Sequence, residues 1–396
     1  GRVKRLLAMR AGPAEHPTAV AGCICGACVC LALSVLLLVG LYALQPLPAH
    51  DELAPLFEIA TGYAWAENMA CVHRSASLDP ARSASLFVTD NKRGELSRID
   101  WLIHNHKGHY APPVVHPASA AFELMAGIAV DRRAERVYLL GNRLALPFGD
   151  GRCVVAEILD PFAHEDEEPE ATYRVVAHLD RHCLGDGLAV HERTGLLYWA
   201  NQGKFVPNHG AVSEVDPHTG SVTQIIHGSF TDGAAIDQER GLLYVSETLS
   251  PSHSVLVYDL VDRAVVGRIH PRGVTALDDF VLTHSGSVIV AADFLGNSGV
   301  RFKTGFETGK PRWKKTHTEM VRALVSGVTE PTSIRRGCSN NLTSGFNKEL
   351  FFVTEGGGLS ALSRDRRVLA FALPETPPAT SASETQASHA RRRRSR

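Results

Sequence analysis

The feature that most constrains this chain is an acidic pair that recurs at a fixed interval. Asp186-Gly187, Asp232-Gly233 and Asp278-Asp279 begin 46 residues apart. Each pair precedes a short apolar run rich in β-forming residues, as in "FTDGAAIDQERGLLYVSET". Intervals of about 40–50 residues that contain about four strands are typical of the blades of a β-propeller. The interval therefore predicts a repeated all-β structure.

The strand pattern around these pairs predicts six such units. Short apolar runs alternate with polar turns, and few stretches show helical periodicity. Counted by strand groups, the units cover roughly residues 63–100, 123–160, 185–216, 231–260, 277–302 and 330–364. The run "LAPLFEIA" at 53–60 is a candidate outer strand that closes the ring with the last unit. We predict an all-β, six-bladed β-propeller over 51–373, with tandem hairpins in a β-sandwich as the alternative.

An apolar segment precedes the predicted propeller. No Asp, Glu, Lys or Arg lies between Glu15 and Asp51, and the apolar centre of this stretch is 19–44. That length exceeds the roughly 20 residues of a membrane-spanning helix and the roughly 7–15 apolar residues of a cleaved signal peptide. Basic residues precede the segment and acidic residues follow it, so the positive-inside rule predicts a cytoplasmic segment over 1–18. We therefore expect a type II single-pass membrane protein with a lumenal or extracellular propeller; cleavage would instead give a secreted protein.

Composition limits the partners. The formal net charge is −1, which gives no electrostatic case for nucleic-acid binding. Residues 374–396 are rich in Pro, Ser and Thr and end in an arginine run, so we predict a disordered basic tail.

Two further features suit a lumenal or extracellular location. Cys71, Cys153, Cys183 and Cys338 are spread over the predicted propeller and permit one or two disulfides, with three possible pairings. Asn341 begins an Asn-Leu-Thr sequence, which is a glycosylation site if this part of the chain is lumenal.

The repeated carboxylates are expected to converge. The innermost strands of a propeller surround a central channel, so residues just before each inner strand lie at one mouth of that channel. Asp186, Asp232 and Asp278 would meet there, and Glu67 holds the comparable place in the first unit. Carboxylates that share a small cavity repel one another unless a cation neutralises them. The alternative is that each pair only caps a turn through backbone hydrogen bonds.

Oxygen ligands favour hard cations. We therefore predict that Glu67, Asp186, Asp232 and Asp278 bind Ca²⁺, or another divalent cation such as Mg²⁺, Mn²⁺ or Zn²⁺.

Three segments resemble one known superfamily. "FTDGAAIDQERGLLYVSET" is similar to the fourth blade of the regucalcin/gluconolactonase and strictosidine synthase-like superfamily, to which the paraoxonases are related. "ALDDFVLTHSGSVIVAADF" resembles its next blade, and "EPTSIRRG…NKELFFVTEGGG" resembles its last. The resemblance spans about 60 to 370 and implies a six-bladed propeller. Many members bind Ca²⁺ at the channel mouth, and many hydrolyse lactones, aryl esters or organophosphates.

The resemblance implies a calcium-dependent hydrolase of lactones or esters, and the predicted anchor at 19–44 would attach it to a membrane. Glu67, Asp232 and Asp278 match the ligand positions. Asp186 matches either the third-blade ligand or a substrate-side aspartate. The candidate catalytic residues are Asp186 and Asp278. The chain departs from the family at Asp232, where asparagine is usual; the added charge favours cation binding but weakens the Lewis acidity of the ion. The alternative is a non-hydrolytic propeller, either a binding module or a strictosidine synthase-like protein, with a structural ion.

Overall fold

The structure is a computed structural model, and the strands that it describes lie beyond the predicted membrane segment. It describes residues 49–50, 53–73, 82–104, 107–142, 153–163, 168, 172–179, 187–203, 210–227, 230–248, 254–308, 313–315, 321–337, 348–356 and 365–374. The predicted segments 1–18 and 19–44, the tail after Pro374, Asp186 and Asn341 fall outside these ranges. The described part of the chain contains no helix with the length and hydropathy of a membrane span.

Two strands precede the first blade, and the next strands form the first two blades. The leading strands are β1 (Ala49–His50) and β2 (Phe57–Tyr63). The first blade comprises, from the inside outwards, β3 (Ala66–His73), β4 (Arg82–Asp90), β5 (Glu95–His104) and β6 (Lys107–Tyr110), with β7 (Val114–Val115) also paired to β5. A 3₁₀ helix (Pro117–Ala121) leads to the second blade, which comprises β8 (Leu124–Asp131), β9 (Arg136–Asn142), β10 (Cys153–Ile158) and β11 (Tyr173–Leu179).

The middle blades repeat this antiparallel order. The third blade comprises β12 (Leu188–His191), β13 (Leu196–Asn201), β14 (Ala211–Val215) and β15 (Val222–His227). The fourth blade comprises β16 (Thr231–Asp237), β17 (Leu242–Glu247), β18 (Ser254–Asp259) and β19 (Ala264–Ile269).

The last two blades carry additions. The fifth contains β20 (Leu277–Leu282), β21 (Val288–Asp293) and β22 (Ser298–Lys303). A separate hairpin of β23 (Phe306–Thr308) and β24 (Trp313–Lys315) then precedes its fourth strand, β25 (Arg322–Ser326). The sixth contains β26 (Pro331–Arg336), β27 (Lys348–Glu355) and β28 (Arg366–Pro374).

The beginning of the propeller closes the ring. β2 pairs antiparallel with β28, so it becomes the outermost strand of the sixth blade. This confirms the closing role predicted for the run at 53–60. β1 adds to the fifth blade by pairing in parallel with β25.

Six edge strands form the inner wall. β3, β8, β12, β16, β20 and β26 each lie at one end of their sheet, and each contacts the inner strands of the two neighbouring blades. Both faces of each sheet pack on neighbouring sheets, and strands buried on both faces read as continuous apolar runs. One cluster, for example, joins Tyr198 and Val212 of the third blade to Leu243 and Leu256 of the fourth. The predicted all-β, six-bladed propeller is confirmed.

The predicted units end too early. In the first five, the first three strands of the blade begin inside the predicted unit and the fourth begins after its end, as in the second, where β11 begins at Tyr173. The sixth unit ends before the third strand of its blade, β28, which begins at Arg366. The fourth strands β15 and β19 contain apolar residues, but most of their residues are exposed or half-buried.

Candidate functional site

The described acidic residues at the predicted site lie at β-bulges of inner strands. The β16–β17 ladder passes from Thr231 to Ala234, which leaves Asp232 and Gly233 in the bulge. The β20–β21 ladder likewise passes over Asp278 and Asp279, and the β3–β4 ladder passes over Glu67 and Asn68. Bulges redirect side chains and are frequent beside active sites. Asp232, Asp278 and Glu67 therefore occupy the same position, the inner-strand bulge, in the fourth, fifth and first blades.

These carboxylates are buried. Relative exposure is 4% for Glu67, 2% for Asp232 and 8% for Asp278. The hydroxyl of Thr248 lies 3.3 Å from Asp232 Oδ2 and donates to the Leu277 carbonyl at 2.5 Å. A side chain of the fourth blade thus links its own bulge to the start of the fifth inner strand.

The glycines of the acidic pairs permit close contact between blades. A Cβ atom on Gly233 would lie 2.7 Å from the Asp279 Cα and 2.9 Å from the Asp278 carbonyl oxygen. A Cβ on Gly187 would lie 2.0 Å from the Asp232 carbonyl oxygen. Only glycine allows backbones to approach this closely. The Asp-Gly pattern therefore marks places where one inner strand abuts the next, rather than a turn alone.

Asp279 joins three blades. Its Oδ2 accepts hydrogen bonds from Ser333 Oγ at 2.8 Å and from Asn68 Nδ2 at 3.2 Å, and it lies 2.5 Å from Arg335 Nη2. Its Oδ1 accepts from the backbone N–H of Phe280 at 2.8 Å. The fifth blade is thus tied to the first blade and to the sixth at the level of the bulges.

Arg335 supplies the positive charge for this carboxylate. Asp279 is fully buried, and burial raises the pKa of its carboxyl, while Arg335 and the hydrogen bond from Ser333 oppose that rise. The other guanidinium nitrogen of Arg335 donates to the Phe280 carbonyl at 2.9 Å. An internal cation therefore compensates one carboxylate of the cluster, a role that the sequence reasoning gave only to a bound ion.

Hydroxyl groups repeat the link between neighbouring bulges in three blades. In each, a second-strand hydroxyl accepts a hydrogen bond from the N–H of its own bulge and donates to a carbonyl in the next blade's bulge. The links are Asn68 N to Thr89 Oγ1 to Ala126 O, Gly233 N to Ser246 Oγ to Asp278 O, and Ser333 N to Thr354 Oγ1 to Glu67 O. All six distances lie between 2.7 and 3.2 Å.

The donor chemistry fits a hard divalent cation, because three blades contribute buried carboxylates at matching bulges. Within the described residues, however, no three His, Cys, Asp or Glu side chains are grouped closely enough to hold a metal ion. Asp186, the predicted contribution of the third blade, lies outside those residues.

A cavity of about 370 Å³ follows the inner strands from the residues just after the bulges, such as Met69, Ala234 and Phe280, to their far ends. Its lining includes Arg132, Glu192, Gln238, His284 and Arg336, which lie at or near the hairpins that follow the inner strands. Burial and the neighbouring Arg336 lower the pKa of Arg132. Of the described residues, Glu67, Asp232 and Asp278 do not line this cavity, whereas Arg335 does.

The sequence reasoning missed Asn68, Asp279, Ser333 and Arg335. A signal was present for Arg335, since "PTSIRR" places charge within an inner strand that otherwise resembles core. Asp279 also stands where the two preceding pairs carry glycine.

Comparisons with known proteins bear on the fold. No protein-family model matches this chain, and no curated protein is significantly similar to it in sequence. A luciferin-regenerating enzyme is similar in structure with a TM-score of 0.53 and 12% identity, over 80% of this chain and 94% of that one. A putative oxidoreductase (glucose dehydrogenase) from Thermus thermophilus has a TM-score of 0.52 and 14% identity, over 81% of this chain and 100% of that one.

A gluconolactonase from Xanthomonas campestris is also among the similar structures, with a TM-score of 0.48 and 11% identity, over 83% of this chain and 99% of that one. The expected resemblance holds for the fold, since the chain forms six blades and is similar in structure to the two proteins with TM-scores above 0.5.

Proposed function

We propose that this protein is a membrane-anchored, calcium-dependent hydrolase of lactones or esters. The observation that carries the proposal is the recurrence of a buried carboxylate at the inner-strand bulge of three blades: Glu67, Asp232 and Asp278. Burial of several acids at one level of a channel is costly unless positive charge compensates it. Arg335 supplies such charge to Asp279, and a bound cation would supply more at the same level.

The ligands of that cation are Glu67, Asp232 and Asp278, with Asp186 as a further ligand or as the base. A bound divalent cation polarises a carbonyl oxygen and lowers the pKa of water. The oxygen-only donor set suits Ca²⁺ best, ahead of Mg²⁺, Mn²⁺ or Zn²⁺.

The protein's own share of the reaction is proton transfer and positioning. A carboxylate, either Asp186 or Asp278, accepts a proton from water as the water oxygen bonds to the substrate carbonyl carbon. The bond from that carbon to the ring or ester oxygen then breaks, and the carboxylate returns the proton to the leaving oxygen. Water is consumed, and the products are a hydroxy acid from a lactone, or an acid and an alcohol from an ester.

The proposed location is the lumen or the cell exterior, with residues 19–44 as the anchor. Cys71 and Cys153 are both disulfide-bonded, which is typical of proteins in oxidising compartments. Glycosylation at Asn341 belongs to the same proposal.

A non-hydrolytic propeller with a structural ion is the second candidate. It is favoured by Arg335, which already neutralises one buried acid at the level of the bulges and ties the fifth blade to the sixth. Charge at the level of the bulges therefore has a structural use in the fold.

Assays on the full-length chain separate the two candidates. Hydrolysis of simple lactones and phenyl acetate is measured with calcium, with EDTA, and with EDTA followed by excess calcium. The hydrolase hypothesis predicts activity that EDTA removes and calcium restores. Stabilisation by calcium in a thermal melt without any hydrolysis would support the structural-ion candidate, and activity that persists in both EDTA and Asp278→Ala would exclude the metal mechanism.

A further inference from the structure

The end of the channel away from the bulges combines an apolar wall with charged side chains. The cavity of about 370 Å³ reaches the hairpins that follow the inner strands. Val130, Ile236 and Val281 lie near the ends of three inner strands, line the cavity and are half-buried. Ligand pockets are commonly apolar, with a few polar or charged groups that orient the ligand. We therefore expect an occupant with an apolar body and a charged group.

Arg132 provides a positive charge at this end. It is the first residue after β8, its side chain is exposed, and it lines the cavity. Among the described residues, no carboxylate forms an ion pair with Arg132. Arg335 also lines the cavity, but it is paired with Asp279 at 2.5 Å. Arg132 can therefore bind an anion without breaking an internal ion pair.

Arg336 adds a second guanidinium. It is the last residue of β26 and lines the same cavity. Its Nη1 lies 3.5 Å from Glu349 Oε1, an oxygen that already accepts the backbone N–H of His284 at 2.7 Å. The channel wall desolvates Arg132 and lowers the pKa of its guanidinium, and the nearby charge of Arg336 lowers it further. An anion bound by both arginines would offset this repulsion.

Two carboxylates limit the charge of the ligand. Glu192 and Glu239 follow the inner strands of the third and fourth blades and line the same cavity. The charge of Glu192 raises the pKa of Arg132, so the two side chains are near each other. These negative charges oppose a dianion such as phosphate more than they oppose a monoanion. A carboxylate also matches the planar array of donors of a guanidinium.

We propose that this end of the channel is a binding site for a small organic carboxylate. Arg132 and Arg336 bind the carboxylate, and the apolar body of the ligand lies along the channel against Val130, Ile236 and Val281. The inference does not rest on the proposed hydrolysis or on a bound cation.

Isothermal titration calorimetry on the full-length chain in EDTA tests the site with three probes. These are hexanoate, its neutral counterpart hexanamide, and inorganic phosphate. Hexanoate is expected to bind about tenfold or more tightly than either of the others, because only hexanoate combines one negative charge with an apolar body. Hexanamide or phosphate that binds as tightly as hexanoate would overturn the proposal.

Arg132→Met tests the role of the arginine. Its Kd for hexanoate is expected to rise about tenfold or more, while its Kd for hexanamide stays within twofold of the wild type. The matched control is Arg133→Met, which removes the same charge from the next residue, an exposed side chain outside the cavity lining. An unchanged Kd for hexanoate in Arg132→Met, or an equal rise in the control, would contradict the proposed site.

Glu192→Gln provides a second measurement with the opposite sign. It removes a negative charge near Arg132, so its Kd for hexanoate is expected to fall about threefold. Thermal melts establish that each variant is folded. A Kd in Glu192→Gln that is unchanged or higher overturns the proposal, even if Arg132→Met does not fold.

Discussion

Two sets of buried carboxylates recur around this propeller, one at the bulges of the inner strands and one at the ends of the second strands. The bulge set is Glu67, Asp232 and Asp278. The strand-end set includes Asp90, Asp293 and Glu355, which accept hydrogen bonds from backbone N–H groups just before the inner strand of the same blade.

The difference lies in the donors. Asp293, for example, accepts from the backbone N–H groups of Thr275 and Ala276, each at 3.0 Å, and from the Thr275 hydroxyl at 2.5 Å. It fastens the segment that enters the inner strand, which is a structural task. The bulge carboxylates instead lie where neighbouring inner strands meet. Periodic acidic residues thus serve two purposes in one fold, and the hydrogen-bond donors around them distinguish the two.

The largest effect is expected at the bulge. Asp278→Asn should lower kcat/KM for lactones about 100-fold or more, because it removes a charged ligand or base from the proposed site. The melting temperature in EDTA should stay close to that of the wild type. Steady-state kinetics and thermal melts check this, and an unchanged kcat/KM would place Asp278 outside the reacting site.

The strand-end counterpart should give the opposite result. Asp293→Asn should lower the free energy of unfolding by about 3 kcal/mol, because several donors would lose a charged acceptor and each such bond contributes roughly 1.5–3 kcal/mol. Calcium affinity should be unchanged. Denaturant unfolding and calorimetry test this; a variant as stable as the wild type that no longer binds calcium would erase the distinction between the two sets.

A glycine at the bulge sharpens the comparison further. Gly233→Ala should destabilise the fold by about 2 kcal/mol, because its Cβ would lie 2.7 Å from the Asp279 Cα of the next blade. Gly337→Ala is the control, since its nearest neighbours would lie at an ordinary 3.4 Å. Chemical denaturation of both variants measures the difference, and equal stabilities would show that the blades separate easily at this point.

The smallest effect concerns the opposite end of an inner strand. His191 is the last residue of β12. Burial lowers the pKa of its imidazole, and the nearby Arg193 lowers it further. The folded state therefore favours the neutral ring, while the unfolded chain takes up a proton below pH 6.5. Stability is expected to fall as the pH drops through that value, by about 1–2 °C in Tm. His191→Gln should remove this part of the pH dependence, and melts at pH 5.5 and 7.5 would show whether it does.

Several elements were predictable because they depend on local pattern. The repeat of Asp232 and Asp278, together with the apolar runs that follow, indicated inner strands, and both residues lie in such strands. The fourth strands were not predicted in the same way, because no acidic pair marks where β15 and β19 begin and most of their residues are exposed or half-buried.

The side-chain contacts within the site could not be predicted from the sequence. Asn68 and Asp279 are 211 residues apart in the chain and hydrogen-bond only because the ring closes. Arg335 likewise pairs with a carboxylate of another blade. Such contacts depend on the register and packing of several sheets, which no local propensity encodes.

By itself, the sequence determined the number and order of the blades and the level at which the carboxylates lie, because periodicity and strand alternation are properties of the chain. Only the tertiary structure decided which acid is neutralised internally and which acids fasten loops. That division depends on which donors the neighbouring blades bring within about 3 Å, and these come from residues distant in sequence.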